Sequence, residues 1–211
     1  GGLGPVWTAN GTISQATPTG TSFATQLRRT IFTSSGASQQ IGPTLGVTNA
    51  SDCQFWKGNA TGMGGWYFSA TFTVETWAGN AARLFVGMAS NAAGAVCLAD
   101  TTGITGVDMI GLYHQTTDGA NVMKVISCAG SASSTIAFTA PTTPTPVLAA
   151  GEGYQFEMWC HPNSTTNLVY CRLTRLNTGQ LVGFVQTGGG PRNTIFCGPQ
   201  CQIGNAAAGA C

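Results

Sequence analysis

The stretch Trp66-Tyr67-Phe68-Ser69-Ala70-Thr71-Phe72-Thr73-Val74 alternates apolar and hydroxyl-bearing side chains without a break. Side chains of a strand point to opposite faces in turn. Trp66, Phe68, Ala70, Phe72 and Val74 therefore share one face, and Tyr67, Ser69, Thr71 and Thr73 share the other. This is the pattern of a half-buried strand with a dry side and a wet side. Outward from it the same reading recurs. In Tyr154-Gln155-Phe156-Glu157-Met158-Trp159-Cys160, residues Tyr154, Phe156, Met158 and Cys160 point one way. The run Arg83-Leu84-Phe85-Val86-Gly87-Met88 is apolar on both sides, which predicts a central strand covered on both faces.

Further segments rich in β-branched and aromatic residues, bounded by Gly, Asn, Pro and Ser, complete the set. Strands are expected over 22–32, 65–76, 82–89, 108–114, 121–128, 134–139, 154–160, 168–176 and 181–186. Thr117-Asp118-Gly119 and Asn177-Thr178-Gly179 read as tight connections between them. Pro162 ends a strand because it has no N–H to give a ladder. No long amphipathic helix is visible. Many short strands at close spacing predict an all-β fold, a two-layer antiparallel sandwich of jelly-roll or concanavalin-like type. One domain is expected over 1–211, closing in a Gly- and Cys-rich tail at 196–211.

Composition narrows the function classes. Charged residues are 7% of the chain, against roughly a quarter in a typical globular protein. Apolar residues are 43%, so the chain has the means to fold. Its surface must be covered by hydroxyls, amides and backbone. So little charge gives little self-repulsion, which suits an oligomer or a particle component. The net charge is +1 and the cations are scattered, which argues against nucleic-acid binding. No apolar run reaches the ~20 residues of a membrane span. The first residues show no basic segment followed by an apolar one, so no signal peptide is expected.

There are eight cysteines and two histidines. No CxxC occurs, which argues against zinc. Cys160 and Cys171 flank a turn and are candidates for a cross-strand bridge. Cys197, Cys201 and Cys211 are further disulfide candidates, since a loose tail gains most from cross-linking. Cys97, Cys128, Cys160 and Cys171, inside or beside apolar strands, read as small hydrophobes, the bridge being the second option for the last two.

No catalytic constellation emerges, and no cofactor is implied. Asp100, Asp108 and Asp118 are separated by turns. Glu152 and Glu157, five apart along a strand, face opposite sides, whereas a glycosidase needs two facing carboxylates. His114 and His161 sit at strand ends without a nucleophile beside them. Gly188-Gly189-Gly190-Pro191 lacks the Lys and Ser/Thr of a phosphate loop. Aromatics at strand ends or turns, Trp56, Trp77, Tyr113 and Trp159, are the more suggestive feature, because they offer rigid area with a polar tip. Trp56, Trp77 and Tyr113, with His114 and Asp118 at the adjoining turn, form the expected ligand-binding set.

The run Gly64-Gly65-Trp66-Tyr67-Phe68-Ser69-Ala70-Thr71-Phe72, then Arg83-Leu84-Phe85-Val86-Gly87-Met88-Ala89, then Asp108-Met109-Ile110-Gly111-Leu112-Tyr113, resembles a pattern in tail-fibre and receptor-binding proteins of tailed bacteriophages. Asp118 matches the acidic turn of that pattern. The resemblance covers roughly residues 20 to 127 and, more loosely, the strands to Gln186. It implies a virion adhesin without enzymatic activity, trimeric, assembled with other virion proteins on an extracellular particle and binding a host surface glycan or protein. The cysteines and the tail depart from it, since proteins assembled in a reducing cytoplasm seldom need disulfides. Two other readings stand beside it: a structural virion protein that decorates a capsid or trimerises, and a secreted sandwich enzyme acting on polysaccharide.

Overall fold

A computed structural model describes residues 6–9, 11–20, 26, 29–34, 40–44, 55–73, 82–90, 107–115, 118, 122–130, 133–138, 148–162 and 168–205. The described elements are strands: β1 (Val6–Ala9), β2 (Gly11–Ala16), β3 (Arg29–Ser34), β4 (Gln40–Thr44), β5 (Trp66–Thr73), β6 (Ala82–Ala89), β7 (Asp108–His114), β8 (Lys124–Ala129), β9 (Ser133–Ala137), β10 (Gly153–Cys160), β11 (Val169–Arg175), β12 (Gln180–Thr187) and β13 (Gly198–Asn205). They form a seven-stranded sheet in the order β1-β4-β13-β6-β7-β8-β9, a four-stranded sheet in the order β12-β11-β10-β5, and a β2-β3 pair. Every pairing is antiparallel. The all-β sandwich expected from the alternating segments is the fold observed.

The alternation decides what each sheet buries. Trp66 and Phe68 of β5, Tyr154, Phe156, Met158 and Cys160 of β10, and Val169, Cys171 and Leu173 of β11 meet Val86, Met88, Ile110, Leu112 and Val125 of the larger sheet in one core. Each large apolar side chain so buried contributes roughly 1.5–3 kcal/mol relative to exposure. The opposite face of β6, β7 and β8 is also buried, around Phe85, Ala89, Met109, Tyr113, Ile126 and Cys128. All seven residues of β7 are buried. The run 83–88, apolar on both sides, is thus a strand covered on both faces, as its composition predicts.

Two expectations are corrected. Strands β1, β2 and β4 lie where none was expected; of the expected strand at 22–32, residues 29–32 fall in β3 and the earlier ones, save 26, lie outside the described residues. Nor are residues 198–205 part of a loose tail. Gly198–Asn205 runs the length of β6 on one side and reaches β4 on the other. Its Gly, Pro and Gln residues have little intrinsic strand preference; neighbours on both sides supply the pairing instead. Pro199 opposes Met88 of β6, and the contacts with β4 begin at Gln200, so its missing N–H spares the β4 ladder.

Candidate functional site

The outer face of the four-stranded sheet holds the largest described concentration of aromatic rings outside the cores. Strand register builds it directly. Trp159 of β10 lies opposite Tyr67 of β5 and Tyr170 of β11, and Tyr170 lies opposite Gln186 of β12. The next outward row runs Ser69, Glu157, Arg172, Phe184. A third begins with Thr71, Gln155 and Thr174. These are the residues that alternate with the core-facing set, so one phase of the period dries the interior and the other furnishes this surface.

The rings pack as a ladder. Trp159 and Tyr170 stack at 5.5 Å between centroids and 11° between planes. Phe184 is tilted against both, at 6.4 Å from each. His161, exposed beyond the end of β10, sets its ring edge to Tyr170 at 5.7 Å. The Arg172 guanidinium carbon lies 5.9 Å from the Trp159 centroid, within the range of a cation–π contact. Tyr67 is 56% exposed. Its position depends on Gly65, whose φ of 84° brings the chain against Pro162. A Cβ there would fall 2.7 Å from the Pro162 nitrogen. The start of β5 is thereby held beside the end of β10.

One polar group organises the face. The Glu157 carboxylate, 8% exposed, accepts the Tyr67 hydroxyl at 2.5 Å and Arg172 Nε at 2.8 Å, with Arg172 Nη2 at 2.6 Å. The hydrogen bond to Glu157 is the main cause that raises the Tyr67 phenol above its ordinary pKa. Gln155 donates from Nε2 to the Ser69 hydroxyl at 3.1 Å. At the strand end, Glu152 pairs with Arg175 Nε at 2.8 Å and accepts the Tyr154 hydroxyl at 3.1 Å. Both described glutamates are thus paired with an arginine of β11.

The residues singled out from sequence are distributed otherwise. Trp56 is half-buried; its Nε1 donates to the Asn193 carbonyl at 2.5 Å and its ring stacks on Phe196 at 5.6 Å. Trp77 lies outside the described residues. Tyr113 and His114 have no exposed surface, because β7 is covered on both faces. Asp118 is buried in the β7–β8 connection. Its Oδ2 accepts the Gln115 N–H at 3.1 Å and its Oδ1 meets the Lys124 ammonium. All three side chains are thus buried within the fold. The surface residues that the sequence reading left out, Tyr67, Tyr170, Arg172 and Phe184, carried one signal: they share the outward phase of neighbouring strands.

The disulfide expectation is also corrected. Cys160, Cys171 and Cys201 are free thiols. Cys160 lies opposite Val169 and Cys171 opposite Met158, so the two never face one another across the ladder. Burial raises the pKa of both. Cys197 is a thiol that donates to the Asp108 carbonyl at 3.8 Å. Cys211 lies outside the described residues. Near Cys160 and Cys197 sits Lys57, 5% exposed, with its pKa lowered chiefly by burial. Among the described residues no group of His, Cys, Asp and Glu is arranged to hold a metal ion.

No family model matches the sequence, and none of the curated proteins searched is significantly similar to it.

Proposed function

We propose that this domain is a binding module of a virion tail fibre or related adhesin, without catalytic activity, that attaches to a host surface glycan or protein through the outer face of its four-stranded sheet. The observation that carries the reading is the ladder of Tyr67, Trp159, Tyr170 and Phe184, interleaved with Glu157, Arg172, Gln155 and Gln186 on a single face. Trp, Tyr and Arg dominate binding hot spots, since each joins large rigid area to a polar group. The weakly charged, hydroxyl-rich character of the chain supports a particle component, and the strand pattern resembling tail-fibre proteins supports the virion setting.

The test is binding of the labelled domain to a panel of bacterial envelopes. Wild-type protein is expected to bind at least one of them, and Tyr67→Ala and Trp159→Ala to reduce that binding about tenfold or more, the scale of a hot-spot loss. Equal binding by all three proteins would overturn the proposal.

A second reading has its own support. Half-buried rings on a nearly neutral sheet face also suit a contact between copies, as in a trimerising or capsid-decorating protein. Light scattering separates the two. If Trp159→Ala turns a trimer into a monomer and envelope binding is lost only with it, assembly is the role of the face.

A further inference from the structure

Resting on the proposed binding role of this face, we infer that its ligand is an uncharged saccharide chain lying across the strands. The first argument is charge. Glu157 and Arg172 satisfy one another through two contacts, at 2.8 and 2.6 Å, and Arg172 also leans on the Trp159 ring. The other pair of this sheet, Arg175 and Glu152 at 2.8 Å, lies in the inward phase with Tyr154 and off this face. Among the described residues of the face no arginine or glutamate is left without its counterpart. A sialylated, sulfated or uronic-acid glycan needs a cation to replace the water it gives up. Here the arginine beside the rings, Arg172, already has its charge offset by the Glu157 carboxylate, so an acidic sugar gains less from it.

The second argument is hydrogen-bonding chemistry. Ser69, Thr71, Gln155, Thr174 and Gln186 lie in the outward rows between and beside the rings. Hydroxyls and amides each donate and accept. Sugar hydroxyls do the same, so such a surface answers a neutral saccharide without a charge.

The third argument is spacing. Tyr67, Trp159 and Tyr170 stand on three adjacent strands in one row. At about 4.8 Å between strands the row spans roughly 10 Å. A hexose is comparable in length to one such interval, so successive sugars of a chain meet successive side chains. A lone sugar would use only part of the row.

The probes are cello-, malto- and chito-oligosaccharides from one unit to six, with hyaluronan and heparin fragments as the acidic comparison, titrated calorimetrically against the intact chain. One neutral series is expected to bind, with affinity rising about tenfold or more from one unit to three. Between about 0.05 and 0.5 M NaCl, where exposed charges become screened, its affinity should hold. Tyr67→Ala, an exposed change that leaves the core alone, should remove most of the gain with length. Tighter, salt-sensitive binding of the acidic fragments would overturn the inference, as would a single sugar binding as well as a trimer. If envelope binding depends on Tyr67 and Trp159 while no saccharide binds, the inference falls and the binding face stands. If envelope binding ignores both residues, the face itself is wrong.

Discussion

Arg192 reaches back to the buried carboxylate of Asp108 with both ends of its guanidinium, Nε to Oδ1 at 3.1 Å and Nη2 to Oδ2 at 2.7 Å, and its backbone N–H donates to the same Oδ1 at 2.6 Å. Asp108 opens β7, and its own N–H and carbonyl are bound to the Ser90 hydroxyl and N–H. One carboxylate thus ties the segment leaving the smaller sheet to the first residue of β7, an inner strand of the larger sheet. Asp108→Ala removes several charge-assisted hydrogen bonds from a group 1% exposed. It is expected to cost about 2–4 kcal/mol. Arg192→Lys keeps the charge but loses the fork and should fall between that variant and wild type. Urea unfolding of the three proteins checks the order, and an unchanged midpoint for Asp108→Ala would remove the tether.

The Tyr67 phenol gives a local readout of the outer face. Its bond to Glu157 favours the protonated form, and the neighbouring negative charge opposes the phenolate. Glu157→Gln removes that charge, so Tyr67 is expected to ionise at lower pH, nearer the ordinary tyrosine value. Ring-labelled tyrosine followed by NMR through alkaline pH, with Tyr67→Phe to assign the signal, measures the shift. No change would mean that the hydroxyl and carboxylate are apart in solution.

Lys57 makes stability depend on pH in a stated direction. Burial lowers its pKa in the folded chain, while the unfolded chain keeps the ordinary value of 10.5. Below the folded pKa both states are charged, and folding bears the whole cost of burying an ammonium. Between the two values the unfolded state binds more protons, so this cost fades as pH rises. Lys57→Met should be at least as stable as wild type at neutral pH. The difference should shrink as pH climbs toward 10.5. Denaturation midpoints of both proteins across that range test it. Subtracting one from the other cancels Tyr154 and Cys171, whose raised pKa values act in the opposite sense.

Cys128, Cys160 and Cys171 are buried thiols whose ionisation burial opposes. The thiolate is the reactive form. Iodoacetamide at neutral pH should therefore leave all three unmodified in the native protein and alkylate each one in guanidinium, as read by peptide mass mapping. A crosslinked Cys160–Cys171 peptide from the native protein would contradict the register of β10 and β11.

Where apolar residues alternate, the fold was legible. The inward phases of 66–72 and 154–160 are the observed core, and β6 and β7 begin and end where 82–89 and 108–114 were expected. Where pairing rather than side-chain chemistry makes the strand, as in Gly198–Asn205, no local pattern existed to read. Tyr113 and His114 misled for a related reason: an aromatic and a polar residue at a strand end are the same in sequence whether the strand is an edge or a centre. The candidate face was half legible. Tyr67 could be assigned to the outward side of its strand, but its neighbours Trp159, Tyr170 and Phe184 become neighbours only through the sheet order β12-β11-β10-β5, which alternation within one strand does not contain.

The position of β13 bears on how the chain comes to be built. Among the described residues, strands β1 and β4 pair with the rest of their sheet only through Gly198–Asn205. On the ribosome they emerge early and wait, unpaired with that sheet, until nearly all of this stretch has been translated. The last ladder therefore joins parts more than 150 residues apart, a closure of the slow, non-local kind. Until it forms, the flank of β6 that β13 will occupy is an open edge, and nascent chains crowded together share that hazard.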